Sequence, residues 1–170
     1  MRVIAGKARS IPLKTVEGQD TRPTTDRIKE TLFNMLHNEL ADCLFVDLFS
    51  GSGGIGIEAL SRGAKHCNFV DSSNFSIASI QENIKNCGFN ENSTVNFCDS
   101  FQFLKNTDLE FDIAFLDPPY REGILIPAIK AIVEKLKNEN VASMMTLSEE
   151  ARRMQDMMKM YGMMGMDPGM

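Results

Sequence analysis

The chain has 170 residues, 43% hydrophobic and 24% charged, with a net charge of −5. That is the size and composition of one soluble globular core, and no apolar run approaches the roughly 20 residues of a membrane span. The acidic total argues against diffuse nucleic-acid affinity, and the absence of a signal peptide before the first expected strand makes cytoplasm the expected compartment.

The charge is uneven. Residues 1–36 hold seven cations (Arg2, Lys7, Arg9, Lys14, Arg22, Arg27, Lys29) and four anions (Glu17, Asp20, Asp26, Glu30), a net of +3 that leaves −8 for the rest. A basic arm on an acidic body suits phosphate contacts gathered at one end, with a solvated surface hairpin as the alternative. Cys43, Cys67, Cys87 and Cys98 form no C-x-x-C pair and read as reduced thiols, with no metal site expected.

Residues 1–16 alternate loosely through Val3, Ile4, Ile11, Leu13 and Val16, which predicts a β-hairpin turning near Gly6 to Ser10. Glu17-Gly18-Gln19-Asp20 is a turn. Thr21-Arg22-Pro23-Thr24-Thr25 is extended up to the proline, and Thr24 or Thr25 can cap the helix that follows. That helix is expected over 26–38, with Ile28, Leu32, Met35 and Leu36 as its apolar stripe, Phe33 alongside, and Arg27 and Lys29 off it.

Leu44 to Phe49 reads as a buried strand that ends in Ser50-Gly51-Ser52-Gly53-Gly54-Ile55-Gly56 and opens a helix at 54–62. Glycines let the backbone turn sharply and approach a ligand closely. Such a corner is a binding crevice at the carboxyl end of a parallel strand. Gly51-x-Gly53-x-x-Gly56 also fits the dinucleotide fingerprint, or merely a tight turn. Asp47 stands where a dinucleotide fold usually has an apolar residue, and its carboxylate could accept from a cationic amino group.

Phe69-Val70 is a second strand ending in Asp71, 20 residues after Gly51, the spacing at which a carboxylate reaches ribose hydroxyls. A turn-forming role is the alternative for Asp71. A helix is expected over 75–87, stopped by Gly88, and then a third strand, Val95-Asn96-Phe97. Asp99, just past it, could accept from an adenine amino group, cap a helix before Phe101, or both.

Asp112 to Leu116 is a fourth strand, ending in Asp117-Pro118-Pro119-Tyr120. Two prolines cannot continue a ladder and force a rigid turn. The Asp117 carboxylate and the Pro118 carbonyl could each accept from an exocyclic amino group, and the Tyr120 ring could stack on the base that carries it. A helix over 122–137 and a poor fifth strand at 141–145 complete the pattern.

From Met1 to about Lys135 the chain resembles the RsmD family of ribosomal-RNA guanine-N2 methyltransferases. The resemblance rests on Arg2-Val3-Ile4-Ala5-Gly6-Lys7, Arg22-Pro23-Thr24-Thr25-Asp26-Arg27 with Glu30-Thr31-Leu32-Phe33-Asn34, Asp47-x-Phe49-x-Gly51-x-Gly53, and Asp117-Pro118-Pro119-Tyr120. It implies a doubly wound, Rossmann-like α/β fold of the S-adenosylmethionine-dependent methyltransferase type, with an N-terminal basic hairpin and helix. The implied cofactor is S-adenosylmethionine and the implied substrate one guanine of small-subunit (16S) ribosomal RNA, within a partly assembled subunit.

Carried over by position, Asp47, Phe49, Gly51 and Gly53 would line the methionine end of the cofactor. Asp71 would take the ribose and Asp99 the adenine. Asp117, Pro118, Pro119 and Tyr120 would hold the target guanine. Arg22, Thr24 and Thr25 would lie at the cofactor mouth, and RNA would be met by Arg2, Lys7, Arg9 and Lys14. Where the family usually has a second acidic residue, two after the ribose carboxylate, this chain has Ser73.

The expected organisation is a basic hairpin and helix at 1–40, a methyltransferase core at 41–140 and a Met-rich helical tail at 141–170. The tail, with ten of the twelve methionines from Met144 onward, resembles a piece of the C-terminal region of an Hsp90-type chaperone. It implies a reading frame joined near 130–145, with the family's last strands missing; a divergent C-terminus is the alternative. Three other functions stay open: an amino-methyltransferase of DNA adenine N6, a non-catalytic cofactor- or RNA-binding remnant, and a dinucleotide oxidoreductase.

Overall fold

Four parallel strands carry the fold: β1 (Leu44–Leu48), β2 (His66–Asp71), β3 (Ser93–Phe97) and β4 (Ile113–Leu116). The computed structural model describes residues 1–16, 26–118 and 123–136. The strands lie side by side in the order β3-β2-β1-β4, so the chain steps outward from β1 on one side and then returns to place β4 on the other. That reversal opens a crevice above the carboxyl ends of β1 and β4, where doubly wound sheets bind ligands. The expected seat of the site is therefore present, and the fold class is the expected one.

Helices α1 (Asp26–Met35), α2 (Gly54–Ser61), α3 (Asn74–Cys87), α4 (Ser100–Asn106) and α5 (Leu125–Val133) cover both faces. The strand pleat decides which side chains go where. Phe45, Cys67, Phe69, Ile113 and Phe115 join Leu32, Phe33, Ile57, Leu60, Ile80 and Ile84 in one buried cluster. Val46, Leu48, Val70, Ala114 and Leu116 meet Phe103, Leu104, Ala128 and Ile132 on the other face. Because both of their faces are buried, β1 and β4 read as continuous apolar runs, and only Asp47 breaks the run in β1.

The N-terminal hairpin is narrower than expected. It makes a single antiparallel bridge, Arg2 to Pro12, and then arches over α2. Val3, Ala8 and Leu13 sink into the first cluster with α1 and α2. Helix α1 ends at Met35, short of the expected 38.

Its stripe also differs from the sequence pattern. Met35 is exposed, whereas Lys29, placed off the stripe by periodicity, is fully buried. The reason is a polar partner inside the core. The Lys29 ammonium donates to the Arg2 carbonyl at 2.6 Å and lies 3.5 Å from Glu58 Oε2, also fully buried. Desolvation lowers the Lys29 pKa, and the Glu58 charge opposes that shift. Helix α5 is likewise shorter than the expected 122–137. The fifth strand at 141–145 and the tail fall outside the described residues.

Candidate functional site at the carboxyl ends of the strands

Strand register brings three carboxylates together. Leu48 of β1 sits between Val70 of β2 and Leu116 of β4. One residue further along, Asp71 and Asp117 therefore flank Phe49, with Asp47 just beneath. Asp47 shares the parity of Phe45, so it points to the α2 face, where its Oδ2 accepts from the Gly56 N–H at 3.0 Å. Burial pushes the Asp47 pKa well above the carboxylate range; the Gly56 N–H works against that, and the charges of Asp71 and Asp117 add to it.

The glycine corner is held from both sides. The Ser50 hydroxyl donates to the Asp47 carbonyl and accepts from the Val70 N–H, and the Ser50 N–H bonds the Val70 carbonyl at 3.0 Å. The Gly51 N–H donates to Asp71 Oδ2 at 2.9 Å, while Asp71 Oδ1 accepts from Ser73 at 2.9 Å. Asp71 thus makes the turn contact read as its alternative role, and each oxygen keeps a second lone pair. Gly51 and Gly53 have φ of +57° and +80°, the left-handed region that glycine enters without strain.

Phe49 is left-handed too, at φ +55°, which is uncommon for a bulky residue. Its ring stands edge-on to Phe101, with centroids 6.5 Å apart and planes at 74°. Asp99 caps α4, and both of its bonds, from Phe101 N–H and Gln102 N–H, fall on Oδ1. Oδ2 of this exposed residue takes no bond among the described residues. Asp117 and Pro118 are half-buried at the end of β4. Pro119, Tyr120, Arg22, Thr24 and Thr25 lie outside the described residues.

Side chains that the sequence reading did not single out dock the basic arm beside this corner. Glu58 Oε2 accepts from Ile4 N–H at 2.9 Å, and Oε1 from Ala5 N–H at 3.1 Å and the Arg62 guanidinium at 2.9 Å. The Ser61 hydroxyl donates to the Ala5 carbonyl and accepts from Ala8 N–H, and the Ser61 carbonyl accepts from Lys7 N–H. Gly6, at φ +85°, has no room for a Cβ, which would sit 1.8 Å from the Ser61 carbonyl oxygen.

On the arm, Arg2, Lys7, Arg9 and Lys14 are all exposed. Arg2 pairs with Asp26 at 3.3 Å and Lys14 with Glu82 at 2.8 Å. Such exposed pairs are weak. A groove of about 560 Å³ lies elsewhere, between α4 and the β2–β3 side of the sheet, lined among others by His66, Asn68, Thr94, Asn96 and Gln102. It includes none of Asp47, Asp71 and Asp117; the register-built crevice, with its charge and strain, is the better candidate.

Comparison with known proteins identifies the family. The family model described as Conserved hypothetical protein 95 matches residues 1–165. A curated relative, the putative rRNA methyltransferase YlbH of Bacillus subtilis, is 40% identical over 137 residues, covering 79% of this chain and 74% of the relative. Ribosomal RNA small subunit methyltransferase D of Escherichia coli K12 is 36% identical over 132 residues, or 78% of this chain and 66% of the relative. Among solved structures, the putative methyltransferase yhhF from Escherichia coli superposes with a TM-score of 0.72 at 33% identity, covering 80% of this chain and 74% of that one. With the family model matched over residues 1–165 and a 40%-identical relative covered over 74% of its length, the chain belongs to the RsmD family.

Proposed function

We propose that this chain transfers a methyl group from S-adenosylmethionine to the exocyclic N2 of a guanine in small-subunit ribosomal RNA, within a partly assembled subunit in the cytoplasm. The observation that carries the reading is the convergence of Asp47, Asp71 and Asp117 at the ends of three adjacent strands. Three carboxylates around one crevice suit a ligand that brings positive charge and hydroxyls, and the donor set fits this cofactor. The names of the relatives support methyl transfer to ribosomal RNA.

When bound, S-adenosylmethionine supplies a methyl already activated on a sulfonium, so the chain's own task is positioning. Asp47 would hold the ammonium of the methionine end. Gly51 leaves space for it, Gly53 would shape the turn while packing closely on Phe69 and Ile80, and Phe49 with Phe101 would wall the crevice. Asp71 would accept from ribose hydroxyls, and Asp99 Oδ2 from the adenine amino group. Arg22, Thr24 and Thr25 would close the mouth.

Asp117 and the Pro118 carbonyl would accept the two N2–H bonds of the guanine. That draws the nitrogen lone pair out of conjugation with the ring. Pro119 would stiffen the turn, and Tyr120 would stack on the base, which must leave its own stack to enter. Arg2, Lys7, Arg9 and Lys14 would meet phosphates.

The test is methyl transfer from radiolabelled cofactor to 16S rRNA, small subunits and DNA, assayed side by side. Incorporation into guanine N2 of the RNA substrates is expected, and transfer to DNA adenine alone would overturn the reading. Asp117→Ala should abolish turnover while S-adenosylhomocysteine still binds; an Asp117→Ala chain that still turns over removes the role given to that residue.

A further inference from the structure

We propose that Asn83 is a positioning residue that couples the basic arm to the glycine corner, so that RNA on the arm and cofactor in the corner bind cooperatively. The proposal rests on the methyltransferase reading above and adds a link between its two ligands.

Asn83 lies in the middle of α3 and is fully buried. Its carboxamide reaches two distant stretches of chain. Oδ1 accepts from the Lys14 N–H at 2.7 Å, and Nδ2 donates to the Lys14 carbonyl at 2.9 Å and to the Ser52 carbonyl at 2.9 Å. Both amide hydrogens and the oxygen are therefore committed. Lys14 is held by its main chain as a neighbouring strand would hold it. Ser52 stands between Gly51 and Gly53, the two left-handed residues of the corner.

This geometry links two ligand contacts through one rigid group. The side chain of Lys14 is about half exposed and pairs with Glu82. A phosphate that takes the ammonium from Glu82 pulls on a residue whose backbone is pinned to Asn83. Any shift of the Lys14 backbone must stretch the two bonds to Asn83 or carry the amide, and with it the Ser52 carbonyl. In the other direction, a ligand that fixes the corner fixes Ser52, and through Asn83 fixes the arm in the shape that meets RNA. Linkage requires the effect to be equal in both directions.

The test is the affinity of the full chain for S-adenosylhomocysteine, measured by calorimetry with and without saturating 16S rRNA transcript. RNA should tighten binding by about fivefold or more in the parent chain, the lower end of typical couplings. In Asn83→Ala the ratio should fall to within about twofold of unity. Asn83→Asp retains an acceptor for the Lys14 N–H but loses the donor to the Lys14 and Ser52 carbonyls, and should lose the coupling as well. A purely structural role would lower the melting temperature and leave the ratio unchanged. A parent ratio near one, or an undiminished ratio in the variants, overturns the proposal.

Should the variants fail to fold, hydrogen exchange on the parent decides. S-adenosylhomocysteine alone should slow exchange across residues 11–16, and unaltered exchange there overturns the coupling. Failure of the parent to bind S-adenosylhomocysteine at all is a separate result, which removes the methyltransferase reading and this proposal with it.

Discussion

Removing the Glu58 carboxylate should cost more than removing its cationic partner Lys29. Glu58 serves four groups at once: the Ile4 and Ala5 N–H groups, the Arg62 guanidinium, and the Lys29 ammonium at 3.5 Å. In Glu58→Ala the buried Lys29 keeps only the Arg2 carbonyl, and stranding one member of a buried ion pair costs about 3–5 kcal/mol. The two backbone N–H groups lose their acceptor in the same step. For a chain of this length each kcal/mol moves Tm by about 2–4 °C, so the melting point should fall by about 6–20 °C. In Lys29→Met the carboxylate retains Arg62 and both N–H donors, and an ammonium that desolvation disfavours is gone. That loss should stay under about 2 kcal/mol. Thermal and urea unfolding of the two variants and the parent give the order directly. Equal losses, or a Lys29→Met chain less stable than Glu58→Ala, would refute the view that Glu58 is the hub that docks the arm.

Two further outcomes follow from the crevice. Asp47 is a buried carboxyl whose folded pKa is raised, so between its unfolded value near 3.9 and that raised value the folded chain binds more protons than the unfolded one. Its contribution to stability is thus present at low pH and is lost as pH rises through the window. Asp47→Asn should flatten that part of the profile of unfolding free energy against pH, leave the unliganded fold no less stable at pH 7, and weaken S-adenosylmethionine binding tenfold or more, about 1.4 kcal/mol. Undiminished binding would remove Asp47 from the site. Gly56→Ala tests the packing of α2 on β2. Alanine normally stabilises a helix interior by about 0.5–1 kcal/mol, but a Cβ here would stand 2.3 Å from Phe69 Cε1 and 2.7 Å from Cys67 Sγ. Overpacking should make the change destabilising by about 1–3 kcal/mol, read by denaturant midpoint.

The parallel core was legible because buried strands write themselves as apolar runs closed by turn residues. Leu44 to Leu48 and Ile113 to Leu116 could be placed within a residue or two for that reason. The glycine corner and Asp71 were legible through fixed spacing, and Asp99 through capping chemistry. What stayed hidden was set by tertiary partners. Periodicity put Met35 inside and Lys29 outside, because it cannot see a buried Glu58 waiting across the core. Glu58, Ser61 and Asn83 carry no local signal, since each bonds backbone more than 50 residues away. Phe101 follows the Asp99 cap, but its meeting with Phe49 depends on how the β1 and β3 ends are spaced, which no local pattern encodes.

The glycine corner departs from local rules in several ways at once. Within residues 47–53 the chain buries a carboxyl, bends a phenylalanine into the left-handed region and follows it with two left-handed glycines. The buried carboxyl and the left-handed phenylalanine are each unfavourable in isolation, and strain of this kind persists only where the surrounding structure over-determines it. Here the surroundings do so: Ser50 locks the corner to β2, Asp71 holds the Gly51 amide, and Asn83 holds Ser52. A further departure, the buried Lys29–Glu58 pair, pins the arm to the same helix α2 whose first turn bonds Asp47. The strained corner and the buried charge under the N-terminal arm thus meet on one helix: the first turn of α2 bonds Asp47, and its second turn, through Glu58, holds Ile4, Ala5 and Lys29.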